Sequence, residues 1–388
     1  MRFVHLVLLT ALPALTQTLV DPAKIPGLLR FDPRSDDKPL RCEITPIKPM
    51  LNYGFFFQAG YTVSIPLTQY SGRRNRLTVV SRITPKKGDA KPVYLAQGLF
   101  LPPIPAEAPK KDSVIETGGN FLLGEGRYDV DWLLMDNSGR ICRKHWTASA
   151  DLHGSSRSVK TTIPPNVATD LSLRGVSLPT PEDEDVRKLR LTVMVHATPL
   201  SPRRTKLRAS DEAMLLGTLS SLMGRIPTLS VRLVVFNLEQ HAEIFRRDDF
   251  RLRELDEVSE AMQKVELGSV DYSVLKDKGG HLDLLAKLLN EEQNASESKR
   301  GPSDVVIFLG PMARHLDKLP AQAINKPLGP APRFFYFRFE SFFRRNPNAG
   351  LPDAINLALK SVKGKSIVIH TPLEFSKAID QVLKSNRS

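Results

Sequence analysis

The segment "SDVVIFLGPMARH" (303–315) decides how the second half of this chain can be interpreted. Asp304 is followed by four apolar residues, 305–308, a run that indicates a buried strand of a parallel sheet. The run leads into residues 309–311, whose glycine and proline predict that the strand stops there. Parallel sheets of α/β proteins usually present their ligands at the carboxyl ends of the strands. A functional site of this half is therefore expected near Gly310.

Strand and helix patterns alternate around this segment, from about residue 188 to residue 388. Apolar runs of strand length are separated by stretches whose apolar residues recur at helical spacing. This order predicts a parallel or mostly parallel sheet that is covered by helices on both faces. The other strand runs are "LRLTVMVHAT" (189–198), "LSVRLVVFNL" (229–238), "RFFYFRFE" (333–340) and "KSIVIHT" (365–371).

The first half of the chain has a β-rich pattern. Between Pro39 and about Leu152, short runs of β-branched and aromatic residues alternate with turn signals. In "YDVDWLLM" (128–135), apolar and acidic residues alternate, so one face of that strand is expected to be buried. Several such strands predict an all-β sandwich of the immunoglobulin-like type, which we place at residues 17–160.

A segment rich in proline and acidic residues separates the two halves. It contains "TTIPPNVATD" (161–170) and "SLPTPEDEDVRK" (177–188), and the second stretch has four consecutive acidic residues at 182–185. Proline and clustered like charge rarely pack into a core. We therefore predict a linker at 161–187 and a second domain at 188–388.

The segment "KGKSIVIHTPLEFSKAI" (363–379) carries a specific signal in the second half. Together with the order of strands and helices, it resembles the von Willebrand factor type A family, in particular its divergent exported bacterial members. The resemblance covers residues 188–386, about half of the chain. It implies a Rossmann-like α/β domain with a mostly parallel sheet, but little about function, because one fold hosts many roles.

In that family, a metal-ion-dependent adhesion site forms at the carboxyl ends of the strands. Its ligands are a D-x-S-x-S run after the first strand, a threonine in a later loop and an aspartate that ends the fourth strand. Mg²⁺ prefers oxygen ligands, and both carboxylates are missing here. The resemblance therefore implies a degenerate site with no metal and no cofactor. The corresponding positions are His196, Thr198 and Leu200 for the run, His281 for the threonine and Gly310 for the last aspartate.

His196 and His281 leave a second interpretation open, because imidazole is a common ligand of transition metals. Neither histidine has a carboxylate or a cysteine beside it in the pattern. Polar loop residues that bind no metal are the alternative interpretation for both positions.

The loop "ATPLSPRRTKLR" (197–208) follows His196 and brings four cationic residues to the same edge of the sheet. Guanidinium groups match carboxylates in shape and charge, so this loop is a candidate contact for an acidic partner. A solvated basic loop without a specific partner is the alternative. The candidate contacts are Arg203, Arg204, Lys206 and Arg208.

The first residues, "MRFVHLVLLTALPALT" (1–16), combine an early positive charge, an apolar stretch and small residues near the end. This pattern is typical of a cleaved signal peptide, and the stretch is too short for an anchor of about 20 apolar residues. A secreted or periplasmic location is therefore expected. Cys42 and Cys142 would then meet oxidising conditions and could pair, while two unpaired buried thiols are the alternative.

The formal net charge of +13 raises the question of nucleic acid. Export and the lack of a recognition motif argue against that partner, and a basic surface suits an acidic protein or an anionic envelope equally well. No G-x-S-x-G, H-E-x-x-H or C-x-x-C motif is present, so no catalytic residue is predicted. We expect an exported, non-enzymatic interaction protein with an unknown acidic partner. The alternatives are a polyanion-binding module and an enzyme of unrecognised class.

Overall fold

Residues 1–178 and residues 179–388 form two separate units in the computed structural model of this protein. The predicted signal peptide, 1–16, lies outside the described residues. None of the helices in the described ranges is long and apolar enough to cross a membrane. The structure describes residues 17–70, 74–88, 91–104, 113–171, 187–201, 203–265, 277, 279–294, 301–327, 329–340 and 350–385.

The first unit is built from β-strands, as its β-branched and aromatic runs predict. The strands are β1 (Thr18–Leu19), β2 (Lys38–Pro39), β3 (Glu43–Leu51), β4 (Phe57–Pro66), β5 (Asn75–Pro85), β6 (Val93–Leu101), β7 (Val114–Leu123), β8 (Gly126–Asp136), β9 (Arg140–Ala150) and β10 (Ala168–Thr169). A six-stranded sheet has the order β1-β6-β5-β8-β9-β2, and a four-stranded sheet has the order β10-β7-β4-β3. Neighbouring strands are antiparallel except for β2 and β9, which run parallel.

Apolar side chains of these two sheets form a shared core. On β8, Tyr128, Val130 and Trp132 are buried while the intervening aspartates are partly exposed, which confirms the expected alternation. Trp132 meets Tyr61 of β4, on the other sheet, with ring centroids 5.2 Å apart and planes 69° apart. The two sheets therefore pack face to face through alternate strand positions.

A disulfide between Cys42 and Cys142 joins the two sheets of the first unit. Cys42 directly precedes β3, Cys142 lies within β9, and their Cα atoms are 6.3 Å apart. The pairing predicted from the sequence is confirmed, and the alternative of two free thiols is wrong. The bond closes a loop of 100 residues, which in the chain-entropy view reduces the freedom of the unfolded chain strongly.

The start of the predicted linker packs onto the first unit. Ile163 is fully buried, Thr162 donates its backbone N–H to the Phe55 carbonyl at 2.8 Å, and β10 pairs with β7. Residues 161–171 pack in spite of their prolines because backbone groups such as Thr162 N, Asn166 N and the Val167 carbonyl find partners in the first unit. The rest of the predicted linker, 172–186, lies outside the described residues.

The second unit contains a six-stranded, mostly parallel sheet, as the alternating pattern predicts. Its strands are β11 (Leu189–His196), β12 (Thr228–Asn237), β13 (Ala242–Arg247), β14 (Val305–Pro311), β15 (Arg333–Phe339) and β16 (Lys365–Ile369), in the order β13-β12-β11-β14-β15-β16. Every residue of β14 is buried, which confirms the strand expected at 305–308. The antiparallel edge strand β13 was not predicted, because its sequence "AEIFRR" is charged and half-exposed.

Helices cover both faces of this sheet. On one face, apolar residues of α3 and α4 join Phe308 and Tyr336 in one core cluster. On the other face, Phe375 of α5 contacts Phe337 and Phe339, with ring centroids 6.1 Å and 5.7 Å apart. The helices of the described residues are α1 (Ala209–Arg225), α2 (Leu255–Gln263), α3 (Gly280–Gln293), α4 (Ala354–Ser361) and α5 (Pro372–Ser385).

Candidate functional site

Three neighbouring strands of the second unit end beside one another, and polar side chains follow each end. His196 is the last residue of β11, Glu239 follows β12 by two residues, and His315 and Asp317 follow β14. Because β11 pairs in parallel with both β12 and β14, these residues reach the same edge of the sheet. His281, the second residue of α3, lies next to Asp317 at this edge.

The five positions that the resemblance assigns to a metal site are largely enclosed by protein. His196 exposes 0% of its surface, Thr198 exposes 1% and His281 exposes 3%. Gly310 is also buried, and Leu200 is half-buried. None of the described residues forms a hydrogen bond with the Thr198 hydroxyl. A partner protein could therefore reach these side chains only after a rearrangement of the loops above them.

His196 faces a buried carboxylate. Its Nδ1 donates to the Pro311 carbonyl at 3.3 Å, and its Nε2 lies 3.5 Å from Glu239 Oε2. Arg314 Nε lies 3.7 Å from the other oxygen of Glu239. Burial alone would raise the pKa of Glu239, but the contact with His196 and the charge of Arg314 outweigh burial and lower the pKa to about 2. The carboxylate is thus held ionised between an imidazole and a guanidinium.

His281, His315 and Asp317 form a second group at this edge, which we call the imidazole cluster. The rings of His281 and His315 are stacked, with centroids 3.9 Å apart and planes 14° apart. Asp317 Oδ2 lies 3.2 Å from His281 Nε2, although the two groups are not aligned as a hydrogen bond. One donor atom from each of the three residues lies within 4.8 Å of the other two. These residue types at this spacing could hold a metal ion.

The protonation of His315 suits such a role. Burial of its ring lowers the pKa, the neighbouring His281 lowers it further, and the charges of Glu239 and Asp317 oppose these effects without overcoming them. The ring is therefore neutral near pH 7. A neutral imidazole is the form that binds metals.

Asp353 holds the loop that carries His315. Its Oδ2 accepts from Ala313 N at 2.8 Å and from the Tyr336 hydroxyl at 2.9 Å, while its other oxygen caps the start of α4. The first residue of α4, Ala354, donates its N–H to the His315 carbonyl at 2.8 Å. The position of His315 is thus fixed by the buried N-terminus of α4.

The basic loop after β11 is partly used within the protein. Arg204 is half-buried, and its guanidinium lies 3.3 Å from Asp211 Oδ2. The carbonyl oxygen of Arg204 accepts a hydrogen bond from the Arg314 guanidinium, which ties this loop to the loop after β14. Arg204 is therefore poorly placed to contact a partner. The remaining predicted contacts, Arg203, Lys206 and Arg208, are exposed.

Glu239, His315 and Asp317 are site residues that were not predicted from the sequence. A signal for them exists, because each follows the carboxyl end of a predicted parallel strand, and His315 is the last residue of the segment "SDVVIFLGPMARH". Their proximity to His196 and His281 depends on the strand order β12-β11-β14, which the sequence alone does not specify.

No family model and no curated protein match this chain. Among solved structures, the ApaA protein from Bordetella pertussis shares 16% identity over 29% of this chain and 96% of that chain, with a TM-score of 0.20. A glycosyl hydrolase family 2 member from Bacteroides cellulosilyticus shares 13% identity over 86% of this chain and 44% of that chain, with a TM-score of 0.21. Bacteroides uniformis beta-glucuronidase 2 shares 9% identity over 70% of this chain and 36% of that chain, with a TM-score of 0.19. TM-scores this low carry no argument about fold or activity.

Proposed function

We propose that this chain is an exported, non-enzymatic interaction protein of the adhesion type. In this proposal an immunoglobulin-like sandwich precedes a von Willebrand factor type A-like domain, and the latter binds an acidic partner through Arg203, Lys206 and Arg208. The observation that carries the proposal is the exposure of these three cations on the loop after β11. That loop leaves the carboxyl edge of the parallel sheet, where folds of this kind bind their ligands.

The residues at the family's metal position support binding without Mg²⁺. Gly310 offers no side-chain ligand, Thr198 offers one hydroxyl, and His196 Nε2 faces Glu239. Mg²⁺ requires near-octahedral oxygen ligands, usually with one or two carboxylates among them. Because Thr198 and His196 are enclosed, a carboxylate of the partner would have no route to complete such a shell.

The disulfide supports the exported location. Bonds of this kind persist in oxidising compartments such as the periplasm and the extracellular space. Together with the apolar N-terminal segment, the Cys42–Cys142 bond favours cleavage of a signal peptide near residue 16.

A polyanion-binding module is the second candidate, and the net charge of +13 favours it. Binding of that kind draws on the whole basic surface and weakens steeply with salt, because exposed charges are screened within about 10 Å at 0.1 M salt. Binding through the loop after β11 depends instead on particular residues. The two candidates are therefore separable by charge reversals at matched positions.

The test uses immobilised protein from residue 17 onward and a solubilised envelope fraction of the cells that produce it. Arg203→Glu with Arg208→Glu is compared with a control of equal charge change, Lys144→Glu with Lys377→Glu, which are exposed elsewhere. We expect the loop variant to retain less than a tenth of the wild-type signal for a saturable acidic partner, and the control to retain most of it. Equal losses of binding in both variants would favour the polyanion-binding module. No loss of binding in the loop variant would refute the proposal that this loop contacts the partner.

A further inference from the structure

We propose that the imidazole cluster binds a transition-metal ion of the zinc type. His281, His315 and Asp317 are the protein ligands, and water takes the remaining position. The inference goes beyond the proposed interaction and does not depend on it. His281 is the only ligand that it shares with the positions assigned by the family resemblance, and the ion class differs from the Mg²⁺ of that family.

The strongest support for this inference is the buried ring of His281, whose nitrogens lack hydrogen-bond partners among the described residues. Its side chain is only 4% exposed, yet neither ring nitrogen forms a hydrogen bond with any of the described residues. His315 Nε2 also lacks a hydrogen-bond partner within the described ranges. A buried polar group without a partner costs about 1–3 kcal/mol, and a bound ion removes that cost from both rings.

The geometry of His281 and Asp317 fits two ligands of one ion. Bonds of about 2.0–2.1 Å in a tetrahedral arrangement place two donor atoms about 3.3 Å apart. His281 Nε2 and Asp317 Oδ2 are 3.2 Å apart, and they are not aligned as a hydrogen bond. Donor atoms at this distance are close enough to bind one ion.

His315 completes the set after a small adjustment. Its donor lies within 4.8 Å of the other two, and ligands of one tetrahedral zinc ion need to come up to about 1.5 Å closer than that limit. The two stacked rings hold their lone pairs in nearly parallel planes, so one ring has to turn to meet the ion. Rotation about χ2 of a histidine is soft and supplies this movement without a change in the backbone.

The ligand types select the class of ion. Two imidazole nitrogens with one carboxylate suit Zn²⁺, Co²⁺, Ni²⁺ or Cu²⁺, whereas Mg²⁺ and Ca²⁺ prefer oxygen ligands throughout. The side chain of Asp317 is 65% exposed, so the position beside it faces solvent and a water molecule can occupy it. Zinc sites with three protein ligands keep a fourth position open, where water can be exchanged for another ligand.

The backbone around the site is already in place. His281 belongs to the first turn of α3, and His315 is held through Ala354 and Asp353. A β-carbon on Gly280 would lie 2.3 Å from His241 Nδ1, so glycine lets α3 begin beside the loop after β12 without displacing the His241 ring. A site on such fixed elements loses little entropy when the ion binds.

The experiment titrates chelator-treated protein, from residue 17 onward, with Zn²⁺ alone by calorimetry and then with Co²⁺ by absorption spectroscopy. We expect one Zn²⁺ per chain, a higher melting temperature and a visible Co²⁺ spectrum of a four-coordinate site. Asp317→Asn keeps the size of an exposed side chain and should weaken Zn²⁺ binding about tenfold or more. His315→Phe keeps the ring stack, removes both nitrogens and should abolish the Co²⁺ spectrum.

The control is His145→Gln, because His145 is an exposed histidine whose Nδ1 lies 2.9 Å from Asp131 Oδ1. It should leave the Zn²⁺ affinity unchanged. No stoichiometric Zn²⁺ binding, or equal affinity in wild type and Asp317→Asn, would overturn the proposal. Asp317→Asn decides the question if His315→Phe does not fold. Because Asp317→Asn leaves Arg203 and Arg208 intact, a loss of Zn²⁺ with retained partner binding separates this site from the proposed interaction.

Discussion

Gly310 lies so close to His196 that a β-carbon on Gly310 would be 2.7 Å from the His196 carbonyl oxygen and 3.0 Å from the His196 Cβ. The φ angle of Gly310 is +157°, a conformation that residues with a side chain rarely adopt. The carboxyl end of β14 therefore has no room for the aspartate that the family resemblance leads one to expect. The backbones of β11 and β14 occupy that space themselves.

Gly310→Ala should lower the free energy of unfolding by about 2–4 kcal/mol, because it adds both a steric clash and an unfavourable φ angle. Gly310→Asp should cost at least as much. Gly217→Ala is the control: Gly217 lies inside α1 with no atom within 4 Å of the added carbon, so the change should stabilise by about 0.5–1 kcal/mol. Urea denaturation measures all three, and a neutral Gly310→Ala would show that the two strands separate easily.

Addition of Mg²⁺ to chelator-treated protein should leave the melting temperature unchanged, because the five positions that the resemblance assigns to a metal site include no carboxylate. An ion at 100 times its dissociation constant would add about 2.7 kcal/mol to the stability, which a thermal scan detects. Zn²⁺ at the same concentration is the positive control for the imidazole cluster. A shift with Mg²⁺ would contradict the prediction that these positions bind no Mg²⁺.

Asp353→Ala should destabilise the second unit by about 3 kcal/mol. The change removes the cap of α4 and leaves Ala313 N without its buried acceptor, while the Tyr336 hydroxyl keeps the Pro311 carbonyl at 3.1 Å as an acceptor. It should also weaken Zn²⁺ binding, because the loop of His315 loses its support. Asp283→Ala, an exposed acid in the first turn of α3, should cost less than about 1 kcal/mol. Similar unfolding midpoints for the two variants would contradict the role of Asp353.

Glu239 makes the second unit sensitive to acid. Its pKa falls from an ordinary value of 4.5 to about 2 in the folded protein, so its stabilising effect is complete above pH 4.5 and is lost as the pH falls toward 2. The loss is expected to be about 2–3 kcal/mol across that window. Glu239→Gln should be less stable than wild type at pH 7 and should lose less stability on acidification. Glu260→Gln, exposed on α2, should follow the wild-type curve, and the same slope for Glu239→Gln would refute the prediction.

Removal of the disulfide, by Cys42→Ser with Cys142→Ser, should destabilise the first unit by about 4–5 kcal/mol in the chain-entropy model, because the closed loop spans 100 residues. The only two tryptophans, Trp132 and Trp146, both lie in this unit, so their fluorescence follows its unfolding alone. Circular dichroism of the helices follows the second unit, whose midpoint should not move. A loss under about 1 kcal/mol would mean that structure in the unfolded first unit already limits its freedom.

Much of the architecture is predictable from the sequence because it depends on local patterns. The unbroken apolar run at 305–308 predicts a strand buried on both faces, and the alternation at 128–135 predicts one buried face. Apolar periodicity does not predict the charged edge strand β13 or the packing of residues 161–171. Both depend on backbone hydrogen bonds, from β13 to β12 and from residues 161–171 to the first unit, and these bonds leave no signal in the pattern of apolar residues.

The sequence by itself determined that no carboxylate stands at the positions that the resemblance assigns to a metal site and that two cysteines and four cationic loop residues are present, since these are questions of residue identity. Only the tertiary structure decided that Arg204 is paired within the protein, that Glu239 is buried beside His196, and that His315 stacks on His281. The physical reason is the parallel sheet, which brings strand ends far apart in the sequence to one edge. There the residues that follow β12, β11 and β14 meet in an order set by strand pairing.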